Sequence, residues 1–314
     1  MRKSMPRNLT IQQEHLDFLR DNKIFLHASG RYENVWLKLG APYNTHAQPA
    51  MMERYSAQFG GVALSSLGAF SYSAASLGHN ATIGRYCAIG AGTKIMKASH
   101  PRGWIGMCGF DYTMAAPYGF YMRDKGIEAP EHNLGHEFTG TKVVIEDDVW
   151  IALDVTLVRK ITIGQGAVIA SGTTVTKDVP PYAIVAGNPG VVKRMRFSDK
   201  VIERMLESSW HRYDFTEFRG METQNPERFL DSFEEAKASG RIKPIPEGRI
   251  DVHAEFRRIS AELAAKAAAT SPPVPIEIEV GTVGSSGGGS NRPDGNFSLA
   301  AAGIRAIRAF VGRA

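Results

Sequence analysis

Aliphatic residues recur at intervals of six along two stretches of the chain, and this period constrains the fold more than any other feature. Leu77, Ile83, Ile89 and Ile95 form the first array; Ile145, Ile151, Leu157, Ile163, Ile169 and Val175 form the second. A helix places side chains on one face every 3.6 residues and a strand every two, so neither generates this pattern. A six-residue unit fits one short strand plus one tight corner of a solenoid, with the aliphatic side chain turned inward. Three units close a coil, and a coil buries its interior only by stacking on its neighbours. Val149, Val155 and Ala167 each fall four positions after an array member and support the same interior. Glycine follows Leu77, Ile83 and Ile89, where its conformational freedom is expected to turn the backbone. The expected architecture is mainly β, a parallel β-helix.

The flanks read differently. Residues 11–20 ("IQQEHLDFLR") suit a short helix, and 24–76 suit strands and turns, so 1–60 are expected to hold an N-terminal helix and lead-in strands. The β-helix is expected over 61–197, ended by Pro180-Pro181 and Asn188-Pro189. A C-terminal helical region follows over 198–269. In it Ser198 caps a helix to about 209, Pro226 opens another to about 238, and "AELAAKAAA" gives a third over 251–269 high intrinsic propensity. Residues 270–297 have the Gly/Ser/Pro composition of a flexible linker. In 298–314, Leu299, Ile304, Ile307 and Phe310 gather near one helical face with Arg305 and Arg308 elsewhere, a surface suited to an anionic membrane or a partner.

Composition narrows the function classes. Two cysteines, Cys87 and Cys108, make no multi-bridge framework and no CxxC pair, so a reducing, cytoplasmic setting is expected. No run of about eighteen apolar residues occurs, and the basic N-terminus lacks the apolar core of a secretory signal. The net charge of +5 is spread without a dense basic stripe, which argues against nucleic acid and only mildly for anionic ligands.

The pulse stops at Met96, and His100 appears four residues later, at the head of an insertion over 97–140. A loop this long inside a solenoid is functional or disordered. Trp104, Phe110, Tyr112, Tyr118, Phe120, Tyr121 and Phe138 give it too many aromatics for disorder.

Four blocks, in this order and spacing, carry a family resemblance: "IGRYCAIGAGTKI", "HPRGW", "VVIEDDVWIALDVTL" and "VIASGTTVTKDVPPYAIVAGNPG", then "RMRF" and a helix ending in Trp210. Over roughly 60–215 the chain resembles the hexapeptide-repeat acyltransferases, and within them the xenobiotic acetyltransferase branch. That branch includes streptogramin and type B chloramphenicol acetyltransferases and polysaccharide O-acetyltransferases. The resemblance implies a left-handed coil, a homotrimer with active sites between subunits, and acetyl-CoA as acyl donor without a metal. It makes His100 the general base for a hydroxyl acceptor, with the aromatic insertion walling the site. Neutral imidazole suits that task, because its ordinary pKa of about 6.5 leaves it unprotonated at pH 7. Trp104 and Tyr112 become candidates for acceptor contact. Ala152, Ala170 and Ser171 match small-residue positions along the coenzyme groove, and Lys177 and Arg194 match cations for its phosphates. Ala152 departs from the usual glycine after "WI", and Val191 from the usual charged residue after "GNP-small".

The implied function is an acetyl-CoA-dependent O-acetyltransferase acting on a sugar or polysaccharide hydroxyl, with a hydroxylated antibiotic as the second acceptor class. Two other classes stay open. A γ-type carbonic anhydrase shares the coil and needs three histidines on zinc; His100, His132 and His136 have a similar long-then-short spacing, although the last two fall within the insertion. A non-catalytic scaffold would use the C-terminal segment to recruit partners.

Overall fold

The computed structural model describes residues 7–270 apart from 34, 97–99, 101–102, 107, 116, 128–141 and 247. The expected linker and the amphipathic segment, together with His132 and His136, lie outside the described residues. β1 (Asn8–Thr10) pairs antiparallel with β2 (Pro42–Asn44), and between them runs α1 (Gln13–Asp21). Short strands then follow, each making one side of a coil. The first coil supplies β3 (Met51–Met52) and β4 (Ala57–Gln58), the second β5 (Ser66–Leu67) and β6 (Tyr72–Ser73). The third supplies β7 (Ala81–Ile83), β8 (Ala88–Ile89) and β9 (Lys94–Ile95). After the insertion come β10 (Val143–Ile145), β11 (Trp150–Ile151) and β12 (Thr156–Leu157), then β13 (Thr162–Ile163), β14 (Val168–Ile169) and β15 (Thr174–Val175).

Pairing between coils is parallel and in register. Ile83, Ile145 and Ile163 stack in one column, Ile89, Ile151 and Ile169 in a second, and Ile95, Leu157 and Val175 in a third. All but Ile95 are at most 2% exposed, and Val149, Val155 and Ala167 are buried with them. Burying one such side chain is worth about 1.5–3 kcal/mol, so the columns hold the stack together. Ile145 partners Ile163, 18 residues on, whereas Ile83 partners Ile145, 62 residues on; the excess of 44 is the insertion. Its described part contains α2 (Tyr118–Asp124).

Three readings of the sequence change here. First, the coils begin ahead of residue 61, because β3 and β4 already pair parallel with β5 and β6. Their aliphatics are replaced by Met52, Ala57 and buried serines, which hides the pulse. Second, the glycines after Ile83 and Ile89 are not where the backbone takes positive φ, although Gly78 after Leu77 does take it, at +57°. Elsewhere that role falls three positions after the aliphatic, on Tyr86, Asp148, Asp154, Lys160, Gly166 and Gly172. The earlier glycine is required by close approach: a methyl on Gly84 would lie 2.6 Å from the Asp147 carboxylate, and one on Gly90 2.6 Å from the Ala152 carbonyl oxygen. Third, the helices beyond 198 do not form one region. α3 (Asp199–Ser208) and α4 (Pro226–Ala238) pack with Tyr182 in a separate small core.

The ends of the solenoid are covered, as an exposed stack of strands requires. β16 (Ala183–Ala186) continues one face, and β17 (Val191–Met195) folds back antiparallel on it. At the other end β18 (Ile250–Asp251) pairs antiparallel with β3, and α5 (Val252–Thr270) returns to α1. There Phe256 packs edge-on against His15 and Tyr43. Ser198 occupies the N-cap of α3 without a side-chain cap bond, whereas Asn225 caps α4 by accepting from the Arg228 amide, with Pro226 in the first turn.

Candidate active site

The chain leaves the stack at Met96, the residue after β9, and His100 stands exposed beyond it. The Tyr112 hydroxyl lies 2.8 Å from His100 Nδ1. A short turn holds Tyr112 there, its amide and that of Thr113 donating to the Gly109 carbonyl at 3.1 and 3.0 Å. Trp104 meets the Tyr112 ring edge-on, with centroids 5.9 Å apart. Three residues singled out in the sequence therefore form one run of contacts, Trp104 to Tyr112 to His100. Tyr112 touches the histidine itself, which no spacing in the insertion announces.

Elsewhere on the insertion Phe110, Phe120 and Tyr121 are exposed, with Arg123 over the Phe120 ring and Lys125 over Tyr121. Imidazole with a phenol on one nitrogen and solvent on the other can accept a proton from a bound hydroxyl, provided Nδ1 carries the ring hydrogen and donates it to the Tyr112 oxygen.

The small residues also come together. Gly90 and Ala152 follow β8 and β11 and stack directly, since the Ala152 carbonyl sits against the Gly90 α-carbon. Ala170 follows β14, one coil further, where the Ala152 amide donates to the Ile169 carbonyl at 2.9 Å and that of Ala170 to Val185. Ser171 is exposed at the same corner. The proposed cations are not part of this column. Lys177 is exposed past β15, one corner further on. Arg194 is exposed on β17, its guanidinium donating to the Met195 carbonyl at 3.3 Å.

A cavity of about 430 Å³ opens at the break and includes His46, His79, Lys94, Met96 and Arg159 in its lining. His46, His79, Lys94 and Arg159 come from four separate segments, so no spacing in the sequence announces that they meet. No group of three or more His, Cys, Asp or Glu side chains among the described residues is arranged to hold a metal ion. No described helix is long and apolar enough to cross a membrane.

Comparison with known proteins adds the following. No family model matches the chain. Over 135 residues it is 36% identical to a probable macrolide acetyltransferase of Lysinibacillus sphaericus, covering 43% of this chain and 70% of that protein. Over 128 residues it is 38% identical to a chloramphenicol acetyltransferase of Klebsiella aerogenes, covering 41% of this chain and 57% of that one. The chain thus spans little more than half the length of several curated relatives it matches. A hexapeptide-repeat acetyltransferase of Vibrio cholerae, solved in complex with acetyl coenzyme A, is 24% identical over 46% of this chain and 62% of its own, with a TM-score of 0.25.

Proposed function

Because the chain belongs to the xenobiotic acetyltransferase branch of the hexapeptide-repeat acyltransferases, we propose that it transfers the acetyl group of acetyl-CoA to a hydroxyl of a sugar or polysaccharide. The observation that carries this reading is the imidazole of His100 standing at the break in the coil with Tyr112 on Nδ1 and Nε2 left for the acceptor. His100 Nε2 accepts the hydroxyl proton while the acceptor oxygen bonds to the acetyl carbonyl carbon. The imidazolium then returns that proton to the sulfur as the carbon–sulfur bond breaks. No covalent acyl-enzyme is needed, and a positioned base of this kind contributes about 10²–10⁴ in rate. Tyr112 positions the base by holding its tautomer, and Trp104 backs Tyr112.

The column Gly90, Ala152 and Ala170 supports a place for the pantetheine arm, since side chains no larger than methyl let an extended chain approach the coil closely. Lys177 and Arg194 stay as candidates for the phosphates, on a different part of the surface. We further infer left-handed winding and a homotrimer with the site between subunits. The exposed His100 and the outward Val144, Trp150 and Leu153, 42–54% exposed, support a partner surface beside the coil.

The test is release of coenzyme A thiol from acetyl-CoA across a panel of glycosides, wild type against His100→Ala. The expected result is a fall in kcat of about 10²–10⁴ with coenzyme A affinity unchanged. Retention of most activity by His100→Ala sinks the base assignment. A second acceptor class, hydroxylated antibiotics, is favoured by the names of the relatives, so chloramphenicol and a macrolide belong in the same panel.

A further inference from the structure

The turn that carries Tyr112 to His100 is itself braced by α2. Gly109 anchors the turn, its carbonyl accepting the amides of Tyr112 and Thr113. Gly119, in the first turn of α2, is buried, and its amide donates to the Ala115 carbonyl at 3.1 Å. A methyl on Gly119 would run into the Met114 carbonyl oxygen and lie 2.7 Å from the carbonyl carbon. α2 therefore rests backbone to backbone on the residue two positions after Tyr112. At the other end, the place a Gly109 side chain would fill is bounded by two phenol rings, Tyr112 and Tyr118, each 3.5 Å away. The Tyr118 hydroxyl meets the Cys108 thiol and the Gly109 amide; the first contact is the main reason its pKa stands above that of an ordinary phenol.

This brace bears on the chemistry because little slack separates a held imidazole from a loose one. The Tyr112 oxygen is 2.8 Å from His100 Nδ1, and such a bond is strong only to about 3.2 Å. A retreat of the turn by about half an ångström therefore frees the ring. A neutral imidazole carries its one hydrogen on either nitrogen, and a hydrogen on Nε2 removes the lone pair that takes the acceptor proton.

We propose that Tyr118 and Gly119 are positioning residues for the transfer: they fix the turn on which Tyr112 stands, and through Tyr112 they keep the hydrogen of His100 on Nδ1. The inference rests on the O-acetyltransferase reading for its effect on turnover, whereas the tautomer of His100 tests it without any acceptor.

Tyr118→Phe, Gly119→Ala, Tyr112→Phe and the double variant Tyr112→Phe/Tyr118→Phe are compared with wild type. Long-range nitrogen–proton NMR correlations of the imidazoles read the tautomer at about pH 8, above the ordinary imidazole range, with His100→Ala identifying the His100 signals. Wild-type His100 is expected to carry its hydrogen on Nδ1, and the population with hydrogen on Nε2 to rise in Tyr118→Phe and Gly119→Ala. In the coenzyme A release assay kcat should fall about two- to tenfold in Tyr118→Phe, the size of one weakened hydrogen bond, with the acetyl-CoA KM unchanged. The double variant should match Tyr112→Phe within about twofold, because a residue that acts through Tyr112 then has nothing left to act on.

An unchanged His100 tautomer in Tyr118→Phe overturns the proposal, so the test stands even where Gly119→Ala fails to fold. A loss of kcat in Tyr118→Phe that is repeated in full on the Tyr112→Phe background overturns it too. So does a lower melting temperature with tautomer and kcat unchanged, which assigns both residues to stability alone. Failure of acetyl transfer with every acceptor sinks the transferase reading, while a tautomer shift in Tyr118→Phe leaves this one standing. A wild-type hydrogen on Nε2 overturns both this inference and the base assignment.

Discussion

Replacing Gly90 by alanine tests the packing logic of the coils and the coenzyme column together. The added methyl would lie 2.6 Å from the Ala152 carbonyl oxygen and 2.7 Å from its carbon. Non-bonded carbon and oxygen settle at about 3.3 Å, so the two coils must part locally by roughly 0.7 Å. The Gly90 amide donates to the Ile151 carbonyl at 2.7 Å, directly across the same gap. Opening it by that amount carries the bond beyond the range of about 2.7–3.2 Å where it is strong. Overpacking of about 1–3 kcal/mol plus a weakened hydrogen bond of about 0.5–1.5 kcal/mol gives an expected cost of about 1.5–4.5 kcal/mol. Gly172→Ala is the matched control: its φ is +69°, and no other atom lies within 4 Å of an added methyl. Asp148, Asp154 and Lys160 hold the equivalent corner with φ near 58°, so that change should cost only about 1 kcal/mol. Equilibrium denaturant unfolding at one fixed protein concentration measures both, with a midpoint shift at unchanged slope. A Gly172→Ala variant as destabilised as Gly90→Ala would refute the close-approach argument. Coenzyme A affinity should fall in Gly90→Ala alone, since the splayed column is the one assigned to the pantetheine arm.

Other expectations follow from individual contacts. Tyr112→Phe keeps the ring against Trp104 but removes the oxygen facing His100 Nδ1. It should lower kcat about five- to thirtyfold with the acetyl-CoA KM unchanged, the size of one lost hydrogen bond to a charging group; an unchanged kcat removes Tyr112 from the mechanism. Arg85 donates to both oxygens of Glu53 at 2.7 and 2.8 Å in a buried pair, so Arg85→Met should cost about 3–5 kcal/mol, and adding Glu53→Gln should recover part of it; thermal unfolding measures both. Burial raises the Glu53 pKa, but Arg85 and the Ala69 amide outweigh it and hold the group below its ordinary value. Its stabilisation is therefore complete above the unfolded carboxyl range and is lost as pH falls through the folded value, so Glu53→Gln should flatten acid denaturation below about pH 4.5. His15 and His253 are held below the ordinary imidazole value by burial, and the Gln12 amide donates to His15 Nδ1, which must stay unprotonated. They stabilise the docking of α5 on α1 above about pH 6.5 and lose that as pH falls towards their folded values. Amide protection factors in α5, taken relative to the intrinsic exchange rate at each pH, should fall as pH drops below about 6.5; a flat profile would refute the neutral-histidine argument.

The coil was readable because its physics repeats. Ile83, Ile145 and Ile163 meet one requirement three times, and the columns through Ile89 and Ile95 repeat it on the other faces. A period states a destination for each side chain, even where the strand is only two residues long. It does not state why a residue has its size, which is how the Gly84 and Gly90 positions come to be read as turns when the neighbouring coil is what excludes a side chain. Nor does it reach the caps. "AELAAKAAA" announces a helix, yet the residues that dock α5, Val252, His253, Phe256 and Ile259, precede that run, and their partners His15 and Tyr43 lie more than 200 residues earlier. The site sits at the far end of this scale. His100 stands out because it interrupts a period, so the repeat itself marks it. Tyr112 is required once, by a partner the period does not index, and reaches His100 through a turn on Gly109. A substitution in a column is therefore read from sequence alone, whereas the contact that orients His100 is read only once the insertion is folded.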